Sequence, residues 1–451
     1  MRQSMSADGP SIESVRRQGA AEDGSIPGAA ATALALSIGI AVPAAVFGKA
    51  VLGVVLIPAA VVALLALTRS DVRRAVLRAV LSRTGLAFAL FGAVSLISVL
   101  SSDLAAKSLE SWARTVAFVL FGLTATQVLA RDRRVLDLAR RSLVYASFVA
   151  FGYVAIALFV TDDVLALIAL GKELQRQVSL NFKGFASAVV CLVPVAVWAL
   201  IGPGLAMKAA RLCLLLLAAL SIWLDGNQLS LAAVLGIISA LALLGLVKTI
   251  GRLSRRFRIV AVAGLLSIGL MSAAAVTATL PEIDESESAH LSIPTWLVDV
   301  HRQFIWSFTV SATQQRPVFG YGPNTINRIE GAEREIQNQQ MLETGNKGTF
   351  IPSHPHNWVY EIASETGIVG LAALCVGLLL LLRHISVLAL NGSRAGWAAV
   401  AVFGAFWGSS LVNFSIWAAW WQLTFVVLMA ILMAAAQPSR DAAPSRGPGR
   451  G

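Results

Sequence analysis

Ser353-His354-Pro355-His356-Asn357-Trp358-Val359-Tyr360-Glu361-Ile362-Ala363-Ser364-Glu365-Thr366 runs straight into Gly367-Ile368-Val369-Gly370-Leu371-Ala372-Ala373-Leu374-Cys375-Val376-Gly377-Leu378-Leu379-Leu380-Leu381-Leu382. The second part carries no charged residue and has the composition of a membrane-embedded helix. The first part crowds two histidines, an asparagine and two carboxylates against its mouth. His301, His354 and His356 lie in the polar stretch that leads to this junction, and the last two are separated by one proline. Chemistry, if the chain performs any, is expected there.

The rest of the chain is of the same kind. It is 57% hydrophobic and 14% charged with a mean hydropathy of +0.73, whereas about a quarter of a soluble domain is charged. A spanning helix needs about 20 mostly apolar residues. That length places spans near 28–47, 50–68, 85–101, 112–130, 142–160, 184–202, 207–224, 229–247, 259–280, 367–382, 396–413 and 416–435. The expected architecture is an all-α polytopic integral membrane protein of twelve transmembrane helices with one large loop between the ninth and tenth.

A formal charge of +11 raises nucleic acid as a partner, but the basic residues fall in short clusters between apolar runs. Arg69, Arg73, Arg74, Arg78 and Arg83 form one; Arg131, Arg133, Arg134, Arg140 and Arg141 a second; Lys248, Arg252, Arg255, Arg256 and Arg258 a third. They alternate with the spans as the positive-inside rule requires. Both termini are therefore expected in the cytoplasm and the loops 102–111, 161–183 and 281–366 on the other side, which in a Gram-negative cell is the periplasm. The chain divides into a polar tail over 1–27, nine spans over 28–280, a large periplasmic loop over 281–366, three spans over 367–435 and a second tail over 436–451. The first tail lacks a cleavage pattern and reads as a cytoplasmic segment rather than a signal peptide. Cys191, Cys213 and Cys375 lie within apolar runs and read as small hydrophobes.

Within the large loop, apolar residues at helical spacing over 299–312 predict a short amphipathic helix suited to a membrane surface. Arg316-Pro317-Val318-Phe319-Gly320-Tyr321-Gly322-Pro323-Asn324 is dense in turn formers, and 330–350 reads as a flap. Trp417, Trp420 and Trp421 read as an interfacial aromatic anchor. Gly367 and Gly370 read as aids to close helix packing.

His356-Asn357, nine residues, then Gly367-Ile368-Val369-Gly370 resembles the His-[Asn/Ser/Gln]-x9-Gly-x-x-Gly pattern of the O-antigen ligase and Wzy-type O-antigen polymerase superfamily. His354-Pro355 and Pro317-Val318-Phe319-Gly320-Tyr321-Gly322 are similar to two further elements of that family, and twelve spans with one large periplasmic loop suit it. One element departs: Ser230-Leu231-Ala232-Ala233-Val234-Leu235 resembles a Ser-Arg-Gly-Ala-x-Leu segment with Leu231 in place of the arginine. Arg176, with Asn181 and Lys183 after it, is the neighbouring source of charge.

The resemblance implies a GT-C-like glycosyltransferase of the inner membrane. It would act without a metal or cofactor and take a glycan from undecaprenyl diphosphate to lipid A-core (a ligase) or to another lipid-linked glycan (a polymerase). Such a transfer needs a base near neutral pH, for which histidine is suited, and His356 is the candidate. It needs cations against the departing diphosphate, and Arg316, Arg176, Arg302 and Lys183 are the candidates. His354, Asn357, Glu365, Gly367 and Gly370 would shape the motif, Glu365 by fixing the loop or an arginine. The alternative from another class is a transporter, which should carry ionisable groups at mid-membrane; here the polar candidates gather at one surface.

Overall fold

The computed structural model describes residues 28–166, 178–223, 228–280, 293–295, 298–336 and 348–437. The chain is an all-α polytopic membrane protein. Its helices are α1 (Gly28–Ala44), α2 (Lys49–Val55), α3 (Ile57–Leu67), α4 (Ser70–Val80), α5 (Arg83–Leu100), α6 (Ala105–Arg131), α7 (Arg133–Phe159), α8 (Lys183–Ala199), α9 (Leu205–Trp223), α10 (Gln228–Arg252), α11 (Arg255–Ala278), α12 (Val300–Gln315), α13 (Trp358–Leu390), α14 (Arg394–Ser409) and α15 (Ala419–Ala436). Among the described residues nine helices are long and apolar enough to cross a membrane. The α2–α3 pair, bent by 40°, makes a tenth. The bend falls where Pro58 enters the first turn of α3, because proline has no N–H to donate to the preceding turn. α8 and α14 are shorter, at 17 and 16 residues.

Small residues let these helices approach closely, as they do where lipid supplies no hydrophobic drive to pack. A side chain at Gly39 of α1 would fall 2.5 Å from the Ala139 carbonyl of α7, and one at Gly404 of α14 would fall 2.7 Å from Ala240 Cα of α10. At one end of the bundle, two smaller apolar clusters unite α12 with the residues around Ile326, Ile351, Phe350 and Val412.

Several expectations change. α12 is no peripheral surface helix: Arg302, Gln303, Phe304, Ile305, Trp306 and Thr309 are all buried, so protein covers it on more than one side. The tenth span begins at Trp358 instead of Gly367, and Gly367 is a break within it (φ 71°, ψ 175°). Trp417, Trp420 and Trp421 are buried and belong to the interior. Of the cysteines only Cys191 is buried, Cys213 being exposed. The ends of the 330–350 stretch are paired, Ile336 N–H to the Gly348 carbonyl at 2.9 Å and Phe350 N–H to the Arg334 carbonyl at 3.1 Å.

Candidate functional site

The histidine turn is built by its neighbours on both sides. The Trp306 indole N–H of α12 donates to the Pro355 carbonyl at 3.0 Å, tying the turn to a buried helix. Asn357 caps α13, its side-chain oxygen accepting from Val359 N–H at 2.9 Å and Tyr360 N–H at 3.4 Å. This satisfies donors that a helix start otherwise leaves without partners. Between them His356 adopts a left-handed backbone (φ 56°), a conformation uncommon outside glycine. Its N–H donates to His354 Nδ1 at 3.2 Å, and the two rings lie 4.0 Å apart.

His356 Nδ1 lies 3.1 Å from the Asn413 carbonyl oxygen. A carbonyl only accepts, so Nδ1 carries the proton and Nε2 keeps its lone pair. Both histidines are half-buried. Burial, then Lys49, Lys183 and Arg302, push His354 down to about 4. Burial, then His354, Arg302 and Lys183, hold His356 well below its usual 6.5 against the opposing pull of the Asn413 bond. The pair is neutral near pH 7.

Two carboxylates one helical turn apart on α13 fix the surrounding loops. Glu365, 1% exposed, accepts the backbone N–H groups of Asn324 (2.7 Å), Thr325 (2.8 Å) and Ile326 (3.0 Å) and the indole N–H of Trp417. Glu361, also 1% exposed, accepts from Ser415 Oγ at 2.5 Å and Ile416 N–H at 2.9 Å. One carboxylate thus holds the segment after α12 and the other the α14–α15 connection.

The segment 317–322 crosses α13 at its break. Ile368 N–H donates to the Pro317 carbonyl at 2.9 Å, Tyr321 N–H to the Ser364 carbonyl at 3.0 Å and Gly322 N–H to the Glu365 carbonyl at 2.8 Å. A Cβ on Gly367 would sit 1.9 Å from the Val318 carbonyl oxygen, so the first glycine of Gly-x-x-Gly admits a crossing backbone rather than a neighbouring helix. Gly370 faces the Thr366 side chain of its own helix instead, with a Cβ there 2.1 Å from Oγ1.

The cationic candidates separate. Arg302 is 8% exposed; it pairs with Asp299 at 3.2 Å and donates to the Val412 carbonyl at 3.4 Å. Lys183 begins α8 and acts with Arg302 on both histidines. Arg316 turns the other way, 2.8 Å from Asp103 and over the Tyr321 ring at 4.5 Å. Arg176 lies outside the described residues. Leu231 packs in the apolar cluster with Ile305 and Val412.

Residues 213–375 match the family model for O-antigen ligase. Over this segment the chain is similar to the O-antigen ligase/Wzy superfamily. A Rickettsia prowazekii protein provisionally named polysaccharide ligase is 27% identical over 157 residues, which are 35% of this chain and 37% of the relative. Like-named proteins of Rickettsia typhi and Rickettsia felis are 26% and 29% identical over 35% and 30% of this chain and 37% and 32% of their own. The match spans about a third of these relatives' length, 32–37%. The matched segment takes in α12, the glycine-rich crossing and the histidine turn, while Lys49, Lys183, Asn413, Ser415 and Trp417 lie outside it.

Lys49, Trp306 and Asn413 are absent from the sequence reading. Lys49 had a signal, as the single cation in the short connection between the first two spans, on the same side of the bundle as the large loop by parity. Asn413 and Trp306 act through a backbone carbonyl and an indole N–H on neighbouring elements, and residue spacing carries no trace of either.

Proposed function

We propose that this protein is a lipid-linked glycosyltransferase of the O-antigen ligase type. It takes a glycan from undecaprenyl diphosphate to a sugar hydroxyl of lipid A-core at the periplasmic face of the inner membrane, with both termini cytoplasmic. The observation that carries the reading is the His356–Asn413 bond, which leaves Nε2 as a neutral acceptor beside Lys183 and Arg302. His356 Nε2 takes the acceptor hydroxyl proton as the acceptor oxygen bonds to the anomeric carbon. The bond from that carbon to the diphosphate breaks, its electron pair leaving on the diphosphate oxygen. Lys183 and Arg302 offset the charge that builds there. The reading asks no metal of the protein.

A cavity of about 790 Å³ is lined by Lys107, Arg328, Glu330, Glu333 and Arg334 among others, and its polar side chains suit sugar hydroxyls. Asn324, on the segment held by Glu365, links this side to α6 through a 3.1 Å bond from its side-chain amide to Ser111 Oγ.

The test complements cells lacking the protein with wild type or His356→Ala at equal membrane abundance and examines surface polysaccharide. Wild type alone should restore it. Long chains left on the carrier lipid in the His356→Ala strain mark a ligase, whereas single repeats mark the polymerase reaction and refute the lipid A-core acceptor. Full restoration by His356→Ala refutes transfer chemistry at this histidine.

A further inference from the structure

Between the end of α14 at Ser409 and the start of α15 at Ala419 the chain passes through the interior without forming a helix. Asn413 is 4% exposed, and Ser415 and Trp417 are buried with it. Buried irregular backbone has to find its hydrogen-bond partners within the protein. Glu361 and Glu365 of α13 supply one set. Arg114 of α6 supplies another: its Nη2 donates to the Trp417 carbonyl at 3.1 Å, while its Nη1 pairs with Glu110 one turn back. The Trp417 indole N–H is held by Glu365, so residue 417 is pinned through both its backbone and its side chain.

Asn413 is fixed at both ends of its amide. Its side-chain oxygen accepts from Ser187 Oγ of α8 at 3.3 Å, and its nitrogen donates to Ser409 Oγ at 2.9 Å. An amide engaged as acceptor and donor has one orientation that serves both partners, and it carries the backbone carbonyl of residue 413 to His356 Nδ1. Ser187 lies one turn after Lys183 and also donates to its carbonyl at 3.3 Å, so the group that aims the histidine is tied to the helix that carries this lysine. His356 meanwhile holds a left-handed backbone, φ 56°. Such strain persists only where the surroundings over-determine it, and it gathers at functional sites. Burial accounts for the pairing of these polar groups. It does not account for an imidazole held in a strained turn against a carbonyl whose residue is anchored at both ends of its side chain.

We propose that Asn413 and Arg114 are positioning residues for the transfer reaction. Asn413, anchored on α8 and α14, and Arg114, through the Trp417 carbonyl, hold the α14–α15 connection so that His356 keeps its proton on Nδ1 and presents the Nε2 lone pair to the acceptor hydroxyl. This rests on the reading of His356 as the base. It goes further by giving a role to two residues that lie on either side of the matched segment 213–375.

Two measurements on the full-length protein test it: transfer kinetics in proteoliposomes supplied with the cell's own lipid-linked glycan and lipid A-core, and nitrogen-15 NMR of histidine-labelled protein. The His356 signals are identified by their loss in His356→Gln. Asn413→Ala should lower kcat about tenfold or more, as misplacement of a reacting group does, with little change in KM for the lipid donor. It should also move His356 from the Nδ1–H tautomer toward a mixture with Nε2–H. Arg114→Ala should shift both readings in the same direction by less, and Arg114→Lys, which keeps a donor for the Trp417 carbonyl, should recover most of the rate. Should Asn413→Ala fail to accumulate, Ser187→Ala removes one of its anchors and is read in the same way. Wild-type kcat and tautomer in these variants overturn the proposal, and the transferase reading survives if His356→Ala is inactive. A lower kcat with the tautomer unchanged also overturns the proposal, because the residues then serve the fold alone. Activity retained in His356→Ala overturns both.

Discussion

Asn413 offers its backbone carbonyl to His356 Nδ1 at 3.1 Å, and this one bond decides which imidazole nitrogen can accept a proton. The carbonyl belongs to the α14–α15 connection, which Glu361 holds through Ser415 and Ile416. The proposed base on one loop is therefore aimed by another loop, and both are fastened to α13.

The pH dependence follows. Burial first, then His354, Arg302 and Lys183, keep His356 well below 6.5. A base must be neutral to act, so activity falls as pH drops through the pKa of His356, and a lowered pKa moves that fall to lower pH. Transfer rates in proteoliposomes should be flat from about pH 8 down to 6.5 and decline only below it. Lys183→Gln removes one opposing cation and should shift the acid limb upward. An acid limb at or above 6.5 in the wild type would show that His356 is not the titrating base.

Glu365→Gln should loosen the loop after α12. The carboxylate serves three backbone N–H groups and an indole N–H, and an amide turns a donor toward some of them. An unsatisfied buried donor costs about 1–3 kcal/mol. The expected result is a lower unfolding midpoint in detergent, with hydrogen exchange of residues 324–326 accelerated more than that of α14. Uniform acceleration across the chain would show that Glu365 has no local role there.

Gly367→Ala and Gly370→Ala should separate, although a Cβ meets a near neighbour at both. At Gly367 the neighbour is the Val318 backbone and φ is +71°, so strain of about 1–3 kcal/mol adds to a clash that only movement of the 317–320 segment relieves. At Gly370 the backbone is not left-handed and the neighbour is the Thr366 side chain of the same helix, whose Oγ1 can rotate away while its Cβ, 2.5 Å from the added one, needs only a small shift of the turn. Gly367→Ala is expected to lose folded protein in the membrane and Gly370→Ala to retain most of it. Equal yields would mean that the crossing of 317–320 over α13 is not maintained in the membrane.

Much of the fold was legible because membrane helices announce themselves locally. Each of the twelve apolar intervals overlaps helix, though 50–68 is the bent α2–α3 pair and α8 and α14 are shorter than a full span, since length and apolarity are properties of the segment alone. The break at Gly367 was not legible. The chain continues helically on both sides of it, and its cause is a backbone from fifty residues upstream. The buried tryptophans were misread for a related reason: Trp417 at the end of an apolar run looks like an interfacial anchor until Glu365 is seen accepting from its indole. Of the site, His354 and His356 stood out by their own chemistry and spacing. Lys49 and Asn413, which surround them, become neighbours only when the first hairpin and the α14–α15 connection meet at one end of the bundle.

Arg316 provides the sharpest contrast between sequence position and spatial setting. Its place beside the glycine-rich crossing recommends it as a diphosphate contact, yet its guanidinium pairs with Asp103 at 2.8 Å and covers Tyr321, and it is not among the charges acting on either histidine. The pair is exposed, at 39% and 77% for the two side chains, and such pairs contribute about 0–1 kcal/mol. Its work is then to tie 316–321 to the α5–α6 connection, and Arg316→Ala and Asp103→Asn should have the same modest effect, a few-fold at most in kcat with little change in KM for the lipid donor. Lys183→Ala should instead raise that KM about tenfold. Kinetics of the three variants at matched abundance decide the matter. If Arg316→Ala abolishes transfer while Asp103→Asn is silent, the guanidinium meets the substrate directly, and the diphosphate lies at the glycine-rich crossing and not beside Lys183.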